Sequence, residues 1–174
     1  MTIYFKHLTN LPPLPKKYIQ EGLNSKFEFI RRPNLFWSPS SFEETNFFKM
    51  LKGRYGVCLV KYYQNPKNSL YDWHTDMTRC VGINWPIKTN AKASAYYREP
   101  IKGAERGDGL SPIFYHLTEV DYKIYNPTLL NTTLEHCVVN NYPEDRIIMS
   151  LTILNDAKFD EVSNFLSTLQ PEFY

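Results

Sequence analysis

Apolar and polar positions follow two different rhythms along the chain. In the first third, apolar residues recur three and four apart, the period of a helix. Residues 14–23 predict a short helix that ends near Gly22. Ser40 and Ser41 precede Glu43 and Glu44 at capping-box spacing, and Phe42, Phe47, Phe48, Met50 and Leu51 supply an apolar face before Gly53. This predicts a second helix over about 41–52. From Tyr55 onward the pattern shortens to alternation and to brief β-branched or aromatic runs. Strands are predicted at 55–63, 71–76, 79–87, 91–98, 119–125, 129–132, 136–140 and 146–154, with turns rich in Asn, Pro and Gly between them. A final helix is predicted over 157–169. Many short strands without intervening helices point to an antiparallel sandwich or barrel, not to alternating βαβ units.

Composition narrows the class without naming a chemistry. The 174 residues, 43% of them hydrophobic and 16% aromatic, suffice for one domain with its own core. No run approaches the roughly 20 apolar residues of a membrane span, and the N-terminus shows no signal-peptide pattern. Three cysteines cannot all pair within the chain, which suggests free thiols in the reducing cytoplasm. No Cys-x-x-Cys occurs, so no structural zinc site is indicated. The net charge of +2 carries no electrostatic case for nucleic acid or membrane. The charge is uneven, however. Residues 1–60 hold nine Lys and Arg against four Glu, and residues 61–174 hold eleven against fourteen acidic residues. A solvated basic face is the simplest account.

The sharpest chemical signal is Asp72-Trp73-His74-Thr75-Asp76. On a strand, residues two apart share a face, so His74 and Asp76 can offer an imidazole and a carboxylate to one metal ion. His136, at the head of a later predicted strand, supplies a third ligand. Two His and one carboxylate form the facial set of non-haem Fe(II) oxygenases, which leaves positions open for O₂ and a co-substrate. Arg146 follows ten residues later. A hairpin through 141–145 would lay its strand beside the His136 strand, where the guanidinium could pair with a co-substrate carboxylate. His7 and His116 fit a surface or packing role better. Trp73 and Cys137 flank metal ligands and face away from them, as packing residues. Cys58 and Cys80 have the same reading.

With His74-Thr75-Asp76, His136 and Arg146 in this order and spacing, residues 55–154 resemble the Fe(II)/2-oxoglutarate-dependent dioxygenases. The stretch 72–87 is most similar to the aspartyl/asparaginyl β-hydroxylase-like branch, though animal members of that branch have Gly where Asp76 stands. Prolyl-hydroxylase-like oxygenases keep the full triad. The resemblance implies a double-stranded β-helix, or jelly roll of the cupin type. Residues 1–54 would be a helical N-terminal support and 155–174 a C-terminal helix, all in one domain. It implies Fe(II) on His74, Asp76 and His136, and 2-oxoglutarate with its far carboxylate on Arg146. Asn84, Tyr63 and Ser150 are further candidate contacts to that co-substrate. O₂ would then hydroxylate an unactivated C–H of a protein side chain, an amino acid or a small metabolite, with release of succinate and CO₂. DNA-repair members carry a second Arg six residues after the first. Thr152 stands there, which counts against nucleic acid as substrate. Two alternatives remain open: a cupin-like metal enzyme that does not use 2-oxoglutarate, and a non-catalytic jelly-roll binding module. The Gly-rich stretch 99–116 is a candidate lid, with Arg98, Arg106 and Tyr115 as possible substrate contacts.

Overall fold

The computed structural model describes residues 3–29, 36–56, 58–76, 80–89, 93–101, 115–154 and 156–170. Its elements are β1 (Phe5–His7), α1 (Lys16–Leu23), β2 (Glu28–Phe29), β3 (Phe36–Pro39), a 3-10 turn (Ser41–Glu44), α2 (Asn46–Tyr55), β4 (Cys58–Asn65), β5 (Ser69–His74), β6 (Val81–Lys88), β7 (Ala93–Pro100), β8 (Tyr115–Glu119), β9 (Thr128–Asn131), β10 (His136–Asn140), β11 (Arg146–Ile153) and α3 (Phe159–Ser167). They build two antiparallel sheets. The larger has the order β1-β9-β6-β11-β4-β3-β2, and the smaller β5-β10-β7-β8.

Period-two patterning explains the layers. Ile147, Met149, Leu151 and Ile153 of β11 lie in one core with Val81, Ile83, Trp85 and Ile87 of β6 and with Val60 and Tyr62 of β4. Phe42, Phe47, Phe48 and Leu51 cover that face with Tyr18 of α1 and Val162 and Leu166 of α3. The alternate residues of the same strands turn toward the smaller sheet. Strand β11 is therefore buried on both faces, apolar toward the helices and largely polar toward the second sheet.

Four expectations are corrected. First, residues 1–54 are not only helical: β1, β2 and β3 from this segment join the larger sheet. Second, the 41–52 helix is split. Thr45 Oγ1 donates to the Phe42 carbonyl at 2.7 Å and accepts from Phe48 N–H at 3.1 Å, ending the 3-10 turn and capping α2. The capping-box residue Glu43 is engaged elsewhere. Glu43 accepts from Val60 N–H at 3.2 Å, and Glu21 caps Ser41 N–H from outside at 2.7 Å. Helix α2 passes through Gly53 and stops at Gly56, whose φ of 80° suits glycine. Third, residues 120–127 are a connection between sheets, not a strand. It is bent by a Tyr122 N–H to Val120 carbonyl bond of 2.9 Å and by Tyr125 at φ 66°. Fourth, β10 and β11 do not form a hairpin. β10 pairs with β5 and β7, and β11 pairs with β4 and β6, so the chain changes sheet through 141–145. Of the 99–116 stretch, β7 and β8 take the two ends. Its centre, Arg106 included, lies outside the described residues.

Candidate metal centre

The register of the smaller sheet assembles the site. His136 sits opposite His74 on one side and Tyr97 on the other. Asp76 follows His74 two residues on, its N–H held by the Thr132 carbonyl at 3.0 Å. The ligand atoms of His74, Asp76 and His136 all lie within 4.8 Å of one another. His136 Nε2 is 3.8 Å from Asp76 Oδ2, and His74 Nε2 is 4.0 Å from Asp76 Oδ1.

Both imidazoles are oriented in the same way. His74 Nδ1 lies 2.6 Å from the Asp72 carbonyl, and His136 Nδ1 lies 2.8 Å from the Leu134 carbonyl. A carbonyl only accepts, so each Nδ1 is a donor, and each Nε2, turned toward Asp76, is the nitrogen that would meet an ion. Two imidazole lone pairs and one carboxylate converging on a point suit a first-row divalent ion. Tyr71 meets His74 edge-on at a centroid distance of 4.3 Å, and Tyr97 stacks obliquely on His136 at 5.6 Å, which fixes the ring planes.

The triad opens into a cavity of about 260 Å³ between the sheets. Arg146, Tyr63, Asn84 and Ser150 line it, together with all three triad residues. The structure thus brings together all seven residues that the sequence offers as metal or co-substrate contacts. It does so by a different route for Arg146, which reaches the cavity from the opposite sheet rather than from a strand beside His136.

Arg146 is the most unusual group in this cavity. It is 1% exposed, and its Nη1 donates to Asn65 Oδ1 at 2.9 Å. Among the described residues its Nε and Nη2 make no hydrogen bond of sound geometry, with Tyr122 the nearby polar group. Burial pushes the guanidinium below its ordinary value, while Tyr122, whose ring lies 5.2 Å away, opposes the shift. Leaving two donors of a buried cation without acceptors is costly, so the arrangement makes sense as a prepared seat for an anion. Tyr122 also accepts from Asn84 Nδ2 at 3.0 Å, which fixes the amide of Asn84 at the cavity wall.

Asn65, Tyr122, Lys61 and Thr132 line the cavity without having stood out in the sequence. The only signal for Asn65 is the β4–β11 register, which sets it opposite Arg146. His7 bonds Thr128 Oγ1 at 3.2 Å on β1, and His116 is exposed on β8, so neither joins the site. Trp73 is not a core residue. It lies half-buried on the outer face of the smaller sheet, with the Arg98 guanidinium 4.6 Å from its ring. Arg98 is clasped there between Trp73 and Tyr115 and donates to Glu135 from Nε at 2.6 Å. Cys58, Cys80 and Cys137 are free thiols. Burial pushes both Cys58 and Cys137 up to about 11.

No family model and no curated protein sequence matches the chain. Solved structures do. HygX of Streptomyces hygroscopicus, with nickel, 2-oxoglutarate and hygromycin B bound, aligns with a TM-score of 0.56 at 13% identity, over 87% of this chain and 82% of that one. An oxidoreductase of the 2OG-Fe(II) oxygenase family from Burkholderia pseudomallei aligns at 0.51 with 8% identity, over 82% and 79%. The fold is a double-stranded β-helix. At such identities the likeness speaks for this jelly-roll framework, and the chemistry rests on the residues themselves.

Proposed function

We propose that the protein is a non-haem Fe(II)/2-oxoglutarate-dependent oxygenase. It would convert 2-oxoglutarate, O₂ and a substrate R–H into succinate, CO₂ and R–OH. The observation that carries this reading is Arg146: a buried guanidinium with two unsatisfied nitrogens in the same cavity as a His-Asp-His set. A cavity serving metal chemistry with water alone has no need of that buried cation. A dicarboxylate co-substrate does need it, because one end can reach the metal while the other pairs with the guanidinium fork. The 2-oxoglutarate bound in HygX, on the same framework, agrees with this.

His74, Asp76 and His136 would hold the ion, and their fixed Nδ1 bonds would keep the Nε2 atoms aimed without reorganisation. The bound ion would supply O₂ activation, for which three protein ligands leave positions open. Arg146 would anchor the far carboxylate, with Asn65 holding the guanidinium in plane. Asn84, Tyr63 and Ser150 line the wall where polar contacts to the co-substrate would form. The apolar part of the wall, including Leu130, Val138 and Ile148, would exclude water from the reacting C–H. The three free thiols fit a reducing compartment, and we place the protein in the cytoplasm on that basis.

The test is calorimetry on the full chain. Fe(II) or Ni(II) should bind at one equivalent, and His74→Ala or Asp76→Ala should abolish this. The metal-loaded protein should then bind 2-oxoglutarate and, with Fe(II) and O₂, release succinate. Metal binding without any 2-oxoglutarate heat would favour the cupin-like alternative instead.

A further inference from the structure

We propose that the substrate carries a carboxylate and that Lys61 receives it at the mouth of the cavity. This rests on the reading of the site just given, and it concerns the cation of the cavity that is not Arg146.

The larger sheet has seven strands and the smaller four, so the sandwich is not covered evenly. Strand β5 follows β4 through a short turn at 66–68, which folds the smaller sheet back over β4. Strands β3 and β2 continue the larger sheet beyond it. In the register, Tyr63 faces Trp37 and Lys61 stands beside Pro39, so Lys61, Tyr63 and Trp37 share one sheet face. Lys61 and Tyr63 also line the cavity. Together the three form a shelf leading into it.

Lys61 stands out on that shelf. Its Nζ lies 3.9 Å over the Trp37 ring, and it has no ion-pair or hydrogen-bond partner among the described residues. Glu28, opposite Trp37 in register and exposed, is two strands across and two residues along from Lys61, about 12 Å between backbones. The indole face orients the ammonium without neutralising it.

Charge then decides the ligand. A divalent ion, the Asp76 carboxylate and Arg146 together leave two positive charges, and 2-oxoglutarate is a dianion that cancels them. Lys61 is the remaining cation among the described lining residues. A cavity that is filled and neutral except for one half-buried ammonium selects a partner with one negative charge. Register separates the two cations along β4 and β11. Arg146 sits opposite Asn65, whereas Lys61 sits opposite Ser150, four residues along each strand and about 13 Å apart. One five-carbon diacid anchored on Arg146 and chelating a metal does not also occupy Lys61.

The experiment uses the full chain saturated with Ni(II) and 2-oxoglutarate, titrated calorimetrically with phenylacetate and with its neutral twin, phenylacetamide. Phenylacetate should bind saturably and at least about tenfold tighter than the amide. Lys61→Met should remove that preference, and Lys61→Arg should keep it. Both variants should hold 2-oxoglutarate within about twofold of the parent, which also shows that they fold. A further arm uses N-acetyl-aspartyl-N-methylamide. Lys61-dependent binding tighter than that of phenylacetate places the carboxylate on a peptide side chain, and weaker binding places it on a free organic acid. The assignment is overturned by equal affinity for the two probes, by no saturable phenylacetate binding, or by an unchanged preference in Lys61→Met. It is also overturned if Lys61→Met loses about tenfold in 2-oxoglutarate affinity, which would make Lys61 a co-substrate residue. Failure of the oxygenase reading looks different: the metal-loaded parent would bind no 2-oxoglutarate, while Lys61-dependent phenylacetate binding persisted.

Discussion

Arg146 is where stability and chemistry pull in opposite directions. A guanidinium at 1% exposure whose one well-formed hydrogen bond among the described residues goes to neutral Asn65 is held against its desolvation cost. Replacing it with an apolar residue of similar length should relieve that cost. Arg146→Met is therefore expected to keep or raise the melting temperature while weakening 2-oxoglutarate binding by at least about tenfold, a split that thermal scans and calorimetry read side by side. The thiols offer a second check at this scale. Cys58 and Cys137, pushed up to about 11 by burial, stay protonated at pH 8. Native protein should show at most one fast-reacting thiol with a disulfide reagent, half-buried Cys80, and three after denaturation. At the residue scale, the sequence shows what spacing encodes. His74 and Asp76 share a strand face, and His136 and Arg146 open later strands, all visible in one dimension. Asn65 and Lys61 were hidden because each owes its place to which strand lies beside or across from its own, and Tyr122 because it sits in the connection between the sheets.

Among the elements, α1 meets the sheet with no room to spare at Gly22. A Cβ on Gly22 would lie 2.7 Å from Ile87 Cδ1 and 2.8 Å from the Tyr62 ring. Tyr62 cannot yield easily, since its hydroxyl donates to the Tyr18 carbonyl at 2.9 Å and reaches Glu21 at 3.1 Å. Gly22→Ala should cost about 1–3 kcal/mol in denaturant unfolding through overpacking, although Ala is the better helix former. On the outer face of the smaller sheet, Arg98 and Glu135 tie β7 to the residue preceding β10, directly behind Tyr97 and His136. The Arg98 hydrogen bond holds the Glu135 carboxyl below its ordinary value. Its contribution is therefore present above the unfolded-state value and is lost as pH falls through the lower folded one. The pair is partly exposed, so the loss is at most about 1 kcal/mol, and Glu135→Gln should remove that part of the acid dependence of stability. The longer strands at 136–140 and 146–153 were legible from alternation. Strands β1, β2 and β3, two to four residues long at one end of the sheet or the other, carry too few positions for a period and exist through pairing alone.

For the whole molecule, an antiparallel sandwich or barrel was legible as many short strands with turn signals and no helices between them, and the jelly roll followed from the resemblance carried by His74, Asp76, His136 and Arg146. The connection through 141–145 was not. A five-residue turn between two strands reads as a hairpin, and the switch of sheet there depends on β4 and β6 already flanking β11. A cavity between two sheets also makes ligand occupancy a property of the entire fold. Ni(II) and 2-oxoglutarate together, each at about a hundredfold over its dissociation constant, should raise the melting temperature by several degrees more than Ni(II) alone, and Arg146→Met should erase the increment due to 2-oxoglutarate.

The fully buried Asn140 side chain shares its two amide protons among the carbonyls of Asn65, Pro66 and Glu144, at 3.1, 3.0 and 2.9 Å from Nδ2. It staples together the two chain reversals behind Arg146. If the proposed co-substrate lies against that stapled end and the substrate outside it, the two would queue: 2-oxoglutarate would enter first and succinate leave last. Steady-state kinetics should then follow a compulsory order, with succinate competing against 2-oxoglutarate and not against the substrate.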